Sequence, residues 1–374
     1  MRIGLHARRA HLEQALRMGT ARLGGLDHYD HGGAVKGTKM AAEMSEQPQV
    51  IEALVRRRLD LVERISSILP TDLAGTVLLA RGSSDHAAVY GRYVLELASG
   101  RPVSLAAPSL HTLYRAKVDY RGYFAVAVSQ SGRTPEIVTV LERMKAGGAR
   151  CLAVTNEPDS PLGEVADMVL ELGAGPEEAV PATKTFSAQI VAFALIAEAL
   201  GAVPWRATDW DRLRGHVEQV LADDAPARRV AGVIGDAEGL ISVGRGFLYS
   251  AALEAALKLK ETTSILAEGY SSADLRHGPI AVATNDLPVI AFVAPGPAAS
   301  DMQELMSWLD QRGARVFAVS EEAGAALPLP RGLPESLVVV PAIVRAQQLA
   351  LWLARHRGID PDTPAGLSKV TFTQ

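Results

Sequence analysis

Two ten-residue stretches of this chain are nearly the same: GARCLAVTNE at 148–157 and GARVFAVSEE at 313–322, with six identical positions and Thr155 matched by Ser320. Each carries an apolar, β-forming run that follows a helical segment. Other pairs keep the spacing: Arg81-Gly82 answers to Arg245-Gly246, and Ala87-Ala88 to Ala251-Ala252, at an offset of 164 or 165 residues. A period that long marks a duplicated domain, since solenoid repeats run only ~20–50 residues. Within each copy, strand-like and helix-like segments alternate. GTVLLARGSS leads into DHAAVYGRYVLELAS, YFAVAVSQSG into PEIVTVLERMKAGG, and GLISVGRG into FLYSAALEAALKLKETT. Such alternation predicts an α/β fold: parallel sheets covered by helices on both faces. The expected organisation is a flexible extension over 1–39, a first domain over 40–205 with a leading helix from Met40, a second over 206–358, and a tail over 359–374. A polar helix is expected near 208–223, and the last helix at 341–357.

Composition narrows the function. A net charge of -4 argues against a nucleic-acid footprint. The single cysteine, Cys151, leaves no intramolecular disulfide framework, suits a reducing cytoplasm, and reads as a small core residue within a strand. No apolar run is seen to reach the ~18 residues of a membrane helix, so no membrane partner is expected. The closest, IVAFALIAEAL at 190–200, predicts a helix buried in a core or a subunit interface. The first 23 residues are Arg-rich with one acid, Glu13, and lack the apolar centre of a secretory signal. His28 and His31, in a Gly-rich stretch, are too few for a metal site. No metal and no cofactor are expected.

One loop carries chemistry. In FAVAVSQSGRTPEIV (124–138), a strand runs into Ser129, Gln130, Ser131, Gly132 and Thr134 just before a helix opens at Pro135. Ligands of parallel α/β sheets bind beyond the carboxyl ends of the strands. A helix start there offers unpaired N–H groups and the positive end of the helix dipole. Four uncharged donor side chains in six residues make a cradle for phosphate. The plainer alternative is that Ser and Thr only cap and turn. The loop is neither a P-loop, lacking Gly-Lys-Ser/Thr, nor a dinucleotide fingerprint. A small phosphorylated metabolite fits it better than a nucleotide.

RGSSDHA, SQSGRT, AVPATKTF, ALEAALKLKE, LRHGPIA and LSKVTFT occur here in that order. With these motifs the chain resembles the double sugar isomerase (SIS) domain family over about 40–374, and within it the isomerase half of glutamine–fructose-6-phosphate aminotransferase. The resemblance implies two tandem, doubly wound SIS domains, flavodoxin-like three-layer sandwiches. The aminotransferase opens with a glutaminase domain whose nucleophile is an N-terminal Cys. The only Cys here is internal, so a chain without its own ammonia source is expected. Arg133 also stands where the aminotransferase usually carries Glu. The resemblance therefore points to the stand-alone glucosamine-6-phosphate deaminases of the SIS type, which yield fructose 6-phosphate and ammonia. Other readings on the same fold are a fructosamine-phosphate deglycase, a galactosamine-phosphate deaminase/isomerase, an aminotransferase fed by a separate glutaminase, and a non-enzymatic sugar-phosphate sensor.

By resemblance, Glu261 is the base that shuttles a proton between sugar C1 and C2; by sequence alone, Glu254, Lys258 and Glu261 read as an exposed ion-pair ladder. Lys258 is a partner of those acids or an aid to the sugar oxygens. His277, otherwise an ordinary loop histidine, becomes the acid/base that opens the sugar ring, reaching the neighbouring subunit's site in a homodimer. Lys369, otherwise a solvated tail residue, matches the lysine that forms a Schiff base in the aminotransferase; in a deaminase it binds the open-chain sugar without a covalent bond. Ser84 is expected on sugar hydroxyls, Ser129, Gln130, Ser131 and Thr134 on the phosphate, and the Val180 backbone on the sugar. Ala182 replaces a sugar-contacting serine of the aminotransferase.

Overall fold

A computed structural model describes residues 36–284 and 286–369. The expected extension over 1–39, with His28 and His31, therefore lies almost wholly outside the described residues, as do the last five residues of the tail. The amphipathic stretch after Met40 is three successive helices, α1 (Thr38–Ser45), α2 (Gln47–Arg56) and α3 (Arg58–Ile68). Next come β1 (Gly75–Leu79), α4 (Ser83–Ser99), β2 (Val103–Leu105), α5 (Pro108–Thr112), β3 (Tyr123–Val128), α6 (Pro135–Ala146), β4 (Arg150–Thr155), α7 (Pro161–Val165), β5 (Met168–Glu171) and α8 (Lys184–Leu200). Helices α9 (Ala207–Ala222) and α10 (Ala225–Ile234) lead into the second half. It comprises β6 (Gly239–Gly244), α11 (Leu248–Thr263), β7 (Leu266–Ser271), α12 (Ser272–Arg276), a 3-10 turn (Pro279–Val282), β8 (Pro288–Phe292), α13 (Ala299–Gln311), β9 (Arg315–Ser320), β10 (Leu327–Pro328) and α14 (Glu335–His356).

Each half is a five-stranded sheet, ordered β2-β1-β3-β4-β5 in the first and β7-β6-β8-β9-β10 in the second, all pairs parallel. Both follow the doubly wound 2-1-3-4-5 order, which reverses direction between the first and third strands and opens a crevice there. The register repeats too: Leu78 faces Val126 in one half and Ser242 faces Ile290 in the other, each pair displaced by 164 positions. The duplication read from the sequence is thus present in the strand pairing. Strands β1 and β8 are buried at every residue, as central strands covered on both faces must be.

The halves share a core. Helix α4 packs on α8, α11 on α14, and α4 on α11 across the two halves. One continuous cluster holds Tyr90, Phe193, Ala255, Leu259 and Ile343, while smaller clusters lie under α6 and α7 and under α12 and α13. Helix α8 buries residues on every side, as its sequence predicts. Truncating its fully buried Phe193 to Ala should cost about 3–5 kcal/mol, the usual loss for a core aromatic. Cys151 is buried at the centre of β4, where burial pushes its thiol up to about 12.

The last helix departs from expectation. It starts at Glu335 and runs through Pro341, six residues ahead of the expected start. It is long and apolar enough to span a membrane, but its apolar stretch is almost wholly buried inside the protein. Arg345, Gln347 and Gln348 interrupt its apolar sequence. They are buried: Arg345 bonds the Pro328 and Asp223 carbonyls, Gln348 the Val220 carbonyl, and Gln347 the Thr183 carbonyl. Buried polar groups with partners are compatible with a core helix.

Candidate active site

Loop 129–134 lies at the carboxyl edge of the first sheet, beside the crevice between β1 and β3. It is pinned from the next crossover: Ser129 N–H donates to the Val154 carbonyl at 3.1 Å, and the Gln130 carbonyl accepts from Asn156 N at 3.0 Å and Thr155 Oγ1 at 3.2 Å. Gly132 has φ +61, and a Cβ there would lie 2.0 Å from Ser160 Oγ, so only glycine fits. Thr134 occupies the N-cap position of α6 in extended backbone, but its hydroxyl makes no capping bond. Ser131 Oγ accepts from Arg133 N–H at 3.3 Å, so one hydroxyl of the loop serves the turn. In the first turn of α6 a buried carboxylate, Glu136, is neutralised by Arg81 at 2.8 Å. Without that pair a negative charge would oppose an anion at the helix start.

Ser84 is buried in the first turn of α4, next to the same crevice, and accepts from Gln189 Nε2 at 3.0 Å. Two residues on, His86 reaches the second half. Its Nδ1 lies 2.8 Å from Glu254 Oε2 on α11, and its carbonyl accepts from Ser250 Oγ at 2.7 Å. Here the exposed ladder expected of Glu254, Lys258 and Glu261 is overturned. Glu254 and Lys258 have no accessible surface, because α4 and α14 cover that face of α11; only Glu261 is partly accessible. Lys258 Nζ donates to Glu261 Oε2 and lies 3.4 Å from Glu254 Oε1. Burial disfavours the ammonium, but the charges of Glu254 and Glu261 together hold its pKa above the ordinary lysine value.

Lys369 is drawn into the protein by Glu177, which the sequence reading missed. Lys369 Nζ lies 2.8 Å from Glu177 Oε2 and 2.7 Å from the Ala179 carbonyl. Glu177 also accepts from Thr183 N, Thr185 N and Thr185 Oγ1. Burial alone would raise its carboxyl, but the Lys369 charge and these hydrogen bonds hold it below the usual carboxylate range. Glu177 also acts electrostatically on Lys258, tying the tail to α11. The only hint in the sequence is the Glu-Glu pair of GPEEAVPATKTF, whose second member, Glu178, is exposed.

The tail is seated by a long-range cap. Asp362 accepts from Met40 N at 2.8 Å and Lys39 N at 3.0 Å, and Asp360 from Gly37 N at 3.1 Å. Helix α1 has no side-chain cap of its own, so acids more than three hundred residues away fill its orphan N–H groups. The Asp362 carbonyl accepts the Val180 N–H at 3.1 Å, so of the Val180 backbone groups the N–H is already engaged. His277 is exposed just after α12, and among the described residues no hydrogen bond joins its side chain to Glu261, Lys258 or Lys369. No group of three or more His, Cys, Asp or Glu able to hold a metal occurs among the described residues.

Two stretches, residues 76–199 and 234–328, match the SIS domain family model, one on each sheet. The chain belongs to the SIS domain family. Glutamine–fructose-6-phosphate aminotransferase [isomerizing] from Symbiobacterium thermophilum is 32% identical over 379 residues, covering 94% of this chain and 60% of that protein. This chain thus spans about 60% of the length of that relative, corresponding to its isomerase portion. A crystal structure from Silicibacter pomeroyi DSS-3, provisionally described as a phosphosugar isomerase, superposes with TM-score 0.78 at 33% identity, covering 88% of this chain and all of that one. The C-terminal domain of the Francisella tularensis glucosamine-fructose-6-phosphate aminotransferase superposes with TM-score 0.78 at 25% identity, over 90% of this chain and 99% of that one. These likenesses confirm the SIS recognition and the tandem α/β fold.

Proposed function

We propose that this SIS protein is an amino-sugar-phosphate deaminase/isomerase, with glucosamine 6-phosphate as substrate and fructose 6-phosphate and ammonia as products. The observation that carries this reading is the engagement of Lys369. Attack on a sugar carbonyl needs a neutral, free amine, whereas Lys369 is ion-paired to a buried carboxylate of lowered pKa. A substrate that brings its own nitrogen has no need of that attack. Arg133, a departure from the aminotransferase pattern, supports the same reading.

Ser129, Gln130, Ser131 and Thr134 hold the phosphate at the start of α6, and Ser84 meets the sugar hydroxyls. His277, supplied by the second subunit of a homodimer, assists ring opening to the amino-aldehyde. Glu261 takes the proton from C2 and returns it to C1, giving an enolamine and then a C2 ketimine. Water adds to the ketimine and ammonia leaves. Lys369, held by Glu177 and the Ala179 carbonyl, meets the open-chain oxygens without forming a covalent bond. The test is ammonium release from glucosamine 6-phosphate, with fructose 6-phosphate scored in parallel; equal amounts are expected, and no release from any amino-sugar phosphate would overturn the reading.

The identity to aminotransferases favours a second reading, amination of fructose 6-phosphate by ammonia from a separate glutaminase. In that case glucosamine 6-phosphate would accumulate from fructose 6-phosphate only when a glutaminase and glutamine are present.

A further inference from the structure

Glu254 is fully buried and has one hydrogen-bond partner, His86 Nδ1 at 2.8 Å on its Oε2; its Oε1 has none. The nearest unused charge for that oxygen is the Lys258 ammonium at 3.4 Å, which instead donates to Glu261 Oε2. Lys258 is equally buried, so its few hydrogen bonds are decided among the groups that face it: Glu254 and Glu261 on α11, and Glu177 ahead of α8. Two carboxylates on one helix thus flank one ammonium, which bonds Glu261 and stands off from Glu254, the one that His86 holds. The histidine tautomer with its proton on Nδ1 donates to Glu254, which accepts only. His86 itself is fixed by the bond from Ser250 Oγ to its carbonyl.

We propose that His86 is a positioning residue: by holding Glu254, it leaves Lys258 on Glu261 and so fixes the Glu261 carboxylate in the orientation the proton shuttle needs. This rests on the reading of Glu261 as the base. The pair crosses between the halves, with His86 two residues from the sugar-facing Ser84 and Glu254 two turns before Glu261. Orientation of the base is thereby linked to the α4 turn that contacts the substrate.

Removing His86 leaves a buried carboxylate with no hydrogen bond, an arrangement that proteins avoid strongly. Lys258 is the donor within reach and should move to it. The experiment is a crystal structure of His86→Ala together with its steady-state kinetics on glucosamine 6-phosphate. We expect Lys258 Nζ to close on Glu254 Oε1 to about 2.8 Å, a normal charge-assisted distance, and to leave Glu261. We expect kcat to fall by about tenfold with KM nearly unchanged, the signature of a misoriented base rather than lost binding. His86→Asn, whose amide can donate from the same place, should recover most of the loss. In a Glu254→Gln background, where no charge remains to capture Lys258, His86→Ala should cost almost nothing further. Retention of Lys258 on Glu261 in the His86→Ala structure, or an equal loss in both backgrounds, would overturn the proposal. The structural arm does not depend on turnover. A wild-type protein inert towards every amino-sugar phosphate would remove the deaminase reading, while the Lys258 shift would still decide whether His86 controls the partner of Glu261.

Discussion

The two halves each end their third strand in a loop, Ser129–Thr134 after β3 and Val293–Ala298 after β8, 164 positions apart on the same fold. They have opposite chemistry. The first reads SQSGRT and presents hydroxyls and an amide at a helix start. The second reads VAPGPA and presents none. Where the first crevice is kept electrically open by the Arg81–Glu136 pair, the second is filled from within: a Cβ on Gly296 would lie 2.2 Å from Glu335 Oε2, the carboxylate that begins α14. The backbone geometry that makes a ligand crevice was thus copied twice. Side chains then gave one copy hydroxyls and an amide, and the other close packing against Glu335. In the proposed site the second half acts from elsewhere, through Glu261 at the far end of α11.

The largest expected effect divides binding from chemistry. Glu261→Gln should lower kcat by about 10³-fold, within the range for loss of a general base, while glucosamine 6-phosphate still binds in the first crevice; initial rates with equilibrium titration check both. Next come the two glycines. Gly132→Ala forces a left-handed φ of +61 onto alanine and drives its Cβ onto Ser160 Oγ, so it should raise KM by at least about tenfold, given ~1–3 kcal/mol for backbone strain alone. Gly296→Ala, pressing on Glu335, should lower the melting temperature and leave KM unchanged; a KM effect of equal size would break the comparison.

Arg81→Ala should act more mildly. It removes the Arg81 cation from the Glu136 carboxylate at the start of α6, and KM should rise by roughly threefold, the scale of a helix-end charge effect at a partly exposed site. Raising salt should shrink the difference between variant and wild type.

The smallest effect is on stability. Burial raises the Glu335 carboxyl above its ordinary 4.5. The folded state therefore holds that proton to higher pH than the unfolded chain, so the stability cost of Glu335 is absent below about 4.5, grows as pH rises from there, and is complete above its folded value. Glu335→Gln should raise the melting temperature slightly at pH 7, and the gain should vanish in thermal melts near pH 4.

Much of this contrast was legible in the sequence. Alternating apolar strands and helices specify parallel sheets, and the repeated GAR–AV segments specify the duplication, because both depend on local patterns. The hydroxyl loop was legible because strand, donors, glycine and Pro135 are contiguous. What was misread depends on what covers a surface. Periodicity placed Glu254, Lys258 and Glu261 on one face of α11 but could not say that α4 and α14 bury it. Glu177 with Lys369, and Asp362 with the start of α1, are pairs from distant parts of the chain that only the tertiary fold brings together. Helix α14 begins six residues before the expected 341 and carries Pro341 in its interior, a residue that ordinarily starts or breaks a helix.

The most direct measurement is a calorimetric titration of the Glu261→Gln protein with glucosamine 6-phosphate, with and without Ser131→Ala and Thr134→Ala. The account predicts one sugar phosphate per chain, and a loss of affinity of at least about tenfold when both hydroxyls go, since hydrogen bonds to a charged group carry about 1.5–3 kcal/mol each. Two equivalent sites per chain, or affinity indifferent to Ser131 and Thr134, would contradict it.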